Sequence, residues 1–242
     1  MYITQLILSA MAALVALTIH EFAHGYAAYK LGDDTAKSFG RLTLNPMKHL
    51  DPIGALCMML FHFGWAKPVP INPRNFKDPR KGFAITALAG PATNIVVGFF
   101  TAFFYLLCLS TFKSTSSLFV TNLQINTILF LLYFFQINIG LGIFNLIPVP
   151  PFDGSRILNV ILPDRIYFKV MKYERQIYWG VIAWLFLGQY VYYALLSIPF
   201  IANTPVLSGI AKIFSLSDIL SDTITSIANF TLRFWRLIPI FR

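Results

Sequence analysis

Four stretches of this chain carry no formal charge: residues 1–20, 82–112, 114–152 and 176–211. A helix rises about 1.5 Å per residue and the hydrocarbon core of a bilayer is about 30 Å thick, so about 20 apolar residues span it. Each stretch is long enough. Lipid offers no water to backbone N–H and C=O groups, so a spanning segment must satisfy them internally, as a helix does. The expected fold class is an all-α polytopic membrane protein with about four transmembrane helices, near residues 2–30, 83–110, 125–148 and 176–200. Only 12% of the 242 residues are charged, against about a quarter in soluble chains. A fifth apolar run, 52–66, is short and holds Pro52, Gly54, His62 and Gly64. It reads as a re-entrant piece on the cytoplasmic side.

A net charge of +9 invites a nucleic-acid reading, but the distribution of the cations argues for a bilayer. Nine Lys and Arg lie in 30–81 and five in 156–175, while Lys113 alone falls between the second and third runs. By the positive-inside rule the two basic loops are cytoplasmic and 111–124 is outside. The four spans then thread consistently, and no nucleic-acid partner is expected. No Lys or Arg precedes Lys30, so the first run lacks the basic start of a signal peptide and reads as a retained helix. Cys57 and Cys108 form no C-x-x-C pair and read as packing residues.

No repeat or flexible linker divides the chain. Residues 33–50 hold β-favouring residues around Gly40 and end on Asn45-Pro46, which suggests a short hairpin or strand-like loop. The Pro-rich basic segment 67–80 reads as an extended cytoplasmic loop. Residues 203–242 space Arg233, Arg236 and Arg242 among Phe230, Phe234 and Trp235. That pattern favours an amphipathic interfacial segment appended to a core over residues 1–202.

The chemistry concentrates in His20-Glu21-Phe22-Ala23-His24. On a helix, residues i and i+4 share a face one turn apart, a spacing that lets both imidazoles bind one ion. Glu21 points beside that face, where its carboxylate can reach water near the metal without being a ligand. An ionisable residue within an apolar span is expensive and marks a functional site. A catalytic zinc takes three protein ligands and keeps one position open, so a third ligand is needed. Asp153 ends Asn145-Leu146-Ile147-Pro148-Val149-Pro150-Pro151-Phe152-Asp153, whose prolines forbid a continuous helix. Broken backbone at membrane depth is tolerated against protein or a water-filled cavity, and a hydrolytic site needs one. The alternative is that Asp153 merely caps the helix starting at Gly154; His49 and His62 are then the remaining ligand candidates.

His20-Glu21-x-x-His24 followed by Asn145-x-x-Pro148-x-x-x-x-Asp153-Gly154 resembles the site-2 protease family of intramembrane zinc metalloproteases. Gly90-Pro91-Ala92-Thr93-Asn94, Gly40-Arg41-Leu42-Thr43-Leu44-Asn45-Pro46 and His49-Leu50-Asp51-Pro52 are similar to that family's pattern as well. The resemblance covers roughly residues 15–165. It implies that His20, His24 and Asp153 bind one Zn2+, that Glu21 is the general base, and that Asn145 positions the reacting carbonyl, with Asn94 lining the site. It also implies membrane-spanning protein substrates in a bilayer, such as membrane-anchored regulators or signal-peptide remnants, and a bacterial cell membrane. Many members carry a PDZ domain between the second and third core spans and others a nucleotide-sensing C-terminal domain; neither is expected here, which suggests a minimal form.

His24 lies six residues, or about 9 Å, before the cytoplasmic end of its helix, so the site is inside the membrane but near the cytoplasm. A substrate helix hides its carbonyls in its own hydrogen bonds and must unwind before attack; a strand-like edge at 35–44 is one place for it to pair. Two other classes remain open. A metal transporter would want several ligands along a path, and only one cluster exists. An inactive partner would lack the base, and Glu21 is present.

Overall fold

The structure, a computed structural model, describes residues 2–54, 66–113 and 116–241. Four helices among them are long and apolar enough to cross a membrane. They are α1 (Tyr2–Lys30), α3 (Pro79–Thr111), α4 (Leu118–Asn145) and α7 (Glu174–Leu196). Large apolar side chains stand exposed along all of them, among them Ile3, Ile7 and Met11 on α1, Val96, Phe100 and Phe104 on α3, and Phe186 and Leu187 on α7. Such faces are stable only against lipid or another protein, and the chain is a multi-pass membrane protein.

The helix ends follow from local chemistry. Asp78 accepts from the N–H groups of Arg80 and Lys81, both at 3.1 Å, with Pro79 in the first helical position of α3. Ser117 accepts from Val120 N at the start of α4 (3.5 Å). Capping oxygens satisfy N–H groups that the first turn cannot pair internally, and proline has none to lose there. Lys30 falls in the last turn of α1, where a cation complements the helix dipole.

Helices α1, α3 and α4 form the central trio. In lipid there is no hydrophobic force between helices, so close packing decides which surfaces meet, and small residues allow backbones to approach. Ala12 and Ala16 of α1 are fully buried. A Cβ on Gly98 of α3 would lie 2.8 Å from Ile139 Cδ1 of α4, and one on Gly142 of α4 would lie 3.0 Å from the Pro91 carbonyl of α3. Short helices α5 (Gly154–Ile161) and α6 (Asp164–Lys172) follow α4 and lead to α7, tied by an ion pair of Arg156 with Glu174. Two short helices, α8 (Pro199–Ala202) and α9 (Pro205–Ala211), then precede α10 (Leu216–Trp235). Ala228 of α10 joins Ala102, Phe135 and Ile139 in one buried cluster, and Trp235 Nε1 donates to Phe99 O at 2.7 Å. The apolar face of α10 therefore lies on α3 and α4, while Arg233 and Arg236 are exposed.

The helices confirm the expected fold class, and the third span stops at Asn145, where the proline-broken segment begins. The hairpin expected in 33–50 is not formed. Residues Thr35–Ser38 make the single turn α2, ended by Gly40 at φ 64, and among the described residues the extended contact on this side is one antiparallel bridge between Leu50 and Ala66. The reason is local: Asp33 Oδ1 accepts from the Thr35 N–H and hydroxyl, a capping arrangement that starts a helical turn where β-propensity alone suggests a strand. The expected re-entrant piece over 52–66 lies outside the described residues except at its two ends.

Topology can be read with single cysteines in a background lacking Cys57 and Cys108. A cysteine replacing Lys113 should react with a membrane-impermeant maleimide added outside, and one replacing Lys77 should react only after permeabilisation. The opposite pattern would invert the topology.

Candidate metal centre

His20 and His24 lie one turn apart on α1, both buried, with their Nε2 atoms 3.0 Å from each other. Asp153 reaches them from the broken segment after α4. Its Oδ2 lies 3.1 Å from each Nε2, so two helices separated by more than a hundred residues meet at one point. These three donors are a group that could hold a metal ion.

The segment that delivers Asp153 is held tightly. Phe152 is buried and its ring sits 4.3 Å from that of Phe144, one residue before the end of α4. Phe152 N donates to Val149 O, and Ser155 Oγ, fully buried, donates to Phe152 O at 2.7 Å. A Cβ on Gly154 would lie 2.5 Å from the Ile147 carbonyl, so the chain closes on itself where only glycine fits. Asp153 stands at the N-cap position of α5, but its side chain makes no capping bond there. Its side chain keeps 24% exposure, leaving the cluster accessible from one side.

The far side of each imidazole decides what the near side can do. His20 Nδ1 donates to Asn94 Oδ1 at 2.6 Å, and His24 Nδ1 donates to Thr86 O at 2.7 Å. Both partners are acceptors, so each Nδ1 carries the ring proton and each neutral ring turns an Nε2 lone pair inward. Two lone pairs and a carboxylate oxygen then face one another at 3.0–3.1 Å. That arrangement repels itself unless a proton or a metal cation sits among the donors. A tetrahedral ion with bonds of about 2.0–2.1 Å spaces its donors about 3.3 Å apart. The residues present fit a zinc ion.

Asn94 is fully buried and continues the network: its Nδ2 donates to Asn138 Oδ1 (2.7 Å) and to Ala16 O (3.3 Å), and Asn138 Nδ2 donates to Phe134 O (2.8 Å). A relay thus runs from α4 through α3 to His20. Asn138 and the Thr86 carbonyl are absent from the sequence reading. Asn138 had a signal, a polar side chain deep in an apolar span; a backbone carbonyl has none. Gly90, named in the sequence only as part of the Gly90-Pro91-Ala92-Thr93-Asn94 pattern, has a role that the pattern does not state. A Cβ there would lie 2.5 Å from His24 Nε2 and 2.8 Å from His20 Cε1, so glycine leaves the room that the imidazoles use.

Glu21 lies beside the cluster, with its Oε2 accepting from Val69 N at 2.8 Å. Asn145 is the last residue of α4, and its Nδ2 donates to Leu141 O at 3.0 Å within its own helix. His49 is buried elsewhere, with Nε2 bonded to Thr43 O at 2.8 Å. It is not part of the cluster; His62 is outside the described residues. Gly90→Ala should push the imidazoles apart and lower the purified protein's affinity for divalent zinc by tenfold to a hundredfold, on the order seen when the support of a metal ligand is disturbed. Metal content after dialysis against graded chelator measures it, and wild-type retention would refute the packing argument.

The sequence profile of peptidase family M50 matches residues 8–188. Over 189 residues the chain is 40% identical to the Bacillus subtilis protein named "Putative zinc metalloprotease YwhC", an alignment covering 76% of this chain and 83% of that one. Over 159 residues it is 30% identical to "Zinc metalloprotease MJ0392" of Methanocaldococcus jannaschii, covering 65% of this chain and 35% of that one. No solved structure matches it. The matched span encloses the His20–His24 helix, the α3–α4 support and the Asp153 segment, and the chain belongs to peptidase family M50, the site-2 protease family.

Proposed function

We propose that this protein is an intramembrane zinc metalloprotease that hydrolyses peptide bonds in membrane-spanning protein substrates. The observation that carries the reading is the convergence of His20 Nε2, His24 Nε2 and Asp153 Oδ2, with Glu21 on the same helix beside them. His20, His24 and Asp153 are the residues that would hold Zn2+. When bound, zinc supplies a Lewis acid that polarises a carbonyl and lowers the pKa of a water to about 7. Related proteins named as zinc metalloproteases support that choice of ion.

Glu21 takes the proton from the attacking water as the new C–O bond forms, and returns it to the leaving amine as the C–N bond breaks. The Val69 N–H fixes one of its oxygens. Asn145 would hold the substrate carbonyl; to do so its amide must leave Leu141 O and turn towards the cleft. Substrate helices need local unwinding before attack, since their carbonyls are otherwise hydrogen-bonded. The expected strand edge at 35–44 is a short helix and turn, so it offers no pairing edge; the extended segment on this face is 67–72.

The same proposal places the protein in a bacterial cell membrane, acting in regulated intramembrane proteolysis. Residues 1–202 form the protease core and 203–242 a C-terminal amphipathic segment resting on α3 and α4.

Glu21→Gln keeps shape but removes the proton acceptor. It should hold near-stoichiometric zinc while cleavage of a transmembrane substrate in liposomes falls by about 10²–10⁴, the usual contribution of a general base. Near wild-type cleavage would end the mechanism. Zinc movement across the liposome by a protein that cleaves nothing would replace it with transport.

Asp153→Ala and Asn145→Ala should separate in their zinc content. The first should lose metal and activity together, the second activity alone, because a carbonyl-orienting amide is not a ligand. Full zinc in purified Asp153→Ala would remove Asp153 from the ligand set.

A further inference from the structure

The segment running past Glu21, residues 66–75, is fastened like a strap to the cytoplasmic end of α1. Arg41 Nη2 donates to Lys67 O at 2.5 Å, Val69 N to Glu21 Oε2 at 2.8 Å, Asn72 N to Asp33 Oδ2 at 2.7 Å, and Asn75 Nδ2 to Asp33 Oδ1 at 2.7 Å. Asp33 has 0% exposure. Gly32, at φ 105, turns the chain at the end of α1 so that Asp33 N reaches back to Ala28 O at 2.9 Å and its side chain faces the strap. Burial pushes the Asp33 carboxyl up, but hydrogen bonds from Thr35, Asn72 and Asn75 outweigh it and hold it below the usual carboxylate range. A buried carboxylate is stable only with its hydrogen bonds made, so the strap and Asp33 hold each other.

The strap is stiff where it meets Glu21. Pro68 and Pro70 flank Val69; each has a fixed φ and no N–H, so the Val69 N–H is the one donor of that tripeptide. A Cβ on Gly25 would lie 3.2 Å from Val69 Cγ1, which shows how closely the strap rides on α1. Three residue steps, about 10 Å of extended chain, lead from Val69 to Asn72.

We propose that Asp33 is a positioning residue for Glu21: by clasping Asn72 and Asn75 it sets the strap so that the Val69 N–H holds the Glu21 carboxylate in place. The proposal rests on Glu21 as the proton acceptor. Asp33 touches no reacting atom and acts through the strap.

The test is a double-mutant cycle on the purified full chain in liposomes, with zinc content and kcat and KM measured for Asp33→Asn, Val69→Pro and the pair. Asn cannot accept at both positions, and Pro removes the amide proton between two prolines without changing the extended course. Each single variant should lower kcat about tenfold, a size typical of disturbed supporting contacts, with KM and zinc content unchanged. The pair should be no slower than the slower single variant, because both break one chain of contacts. Factors that multiply in the pair, a wild-type kcat in Asp33→Asn, or a loss that follows zinc content would each overturn the proposal. If Asp33→Asn does not fold, Asn75→Ala takes its place in the same cycle. Glu21→Gln run alongside separates the two levels: if it is active, the base assignment itself is wrong, and if it is inactive while the cycle multiplies, only the role of Asp33 falls.

Discussion

Three electron-rich atoms held about 3 Å apart inside an apolar bundle are the constraint on which this structure turns. Left to themselves, His20 Nε2, His24 Nε2 and Asp153 Oδ2 would separate or take up protons. They stay together because each is oriented from behind. Asn94 fixes His20, the Thr86 carbonyl fixes His24, and the Phe152–Phe144 contact with the closed turn at Gly154 fixes Asp153. Each support comes from α3 or α4, so the cluster exists only when α1, α3 and α4 are assembled.

That assembly depends on what is missing from side chains as much as on what is present. Gly90 lets the imidazoles lie against α3, and Gly98 and Gly142 let α3 and α4 close up. Larger residues would cost little in lipid solvation, since lipid is as apolar as they are, but would hold the backbones apart. The buried Asn94–Asn138 pair then adds a hydrogen bond that lipid cannot provide. Small residues set the distance and amides set the register.

At the Lys30 end of α1 a different device borders the site. The strap at 66–75 contributes one backbone N–H to Glu21, and its geometry is governed by Asp33 and Arg41. A carboxylate supported by backbone keeps its orientation without introducing a competing charge next to the His20–His24–Asp153 cluster. The proposed ligands thus rest on long apolar helices and the segment after α4, and the proposed base rests partly on a loop outside them.

The spans, the His20–His24 pair with Glu21, and Asp153 were all legible in the amino-acid order. Each rests on a one-dimensional rule: uncharged length for a span, i and i+4 spacing for two ligands, and prolines that must break a helix where a carboxylate follows. The turn at Thr35–Ser38 was not, because β-propensity spoke for a strand while the Asp33 side chain, two residues from Thr35, stabilised a helical turn. Nor were Thr86, Asn138, Val69 and the room that Gly90 leaves. A backbone carbonyl, an absent Cβ and a backbone N–H have no residue-type signature, and Asn138 is polar without saying what it meets. Sequence alone picked out the residues proposed to carry the chemistry, because their types and spacings are fixed along the chain; only tertiary structure decided what aims them, because those contacts are made between helices whose approach depends on packing.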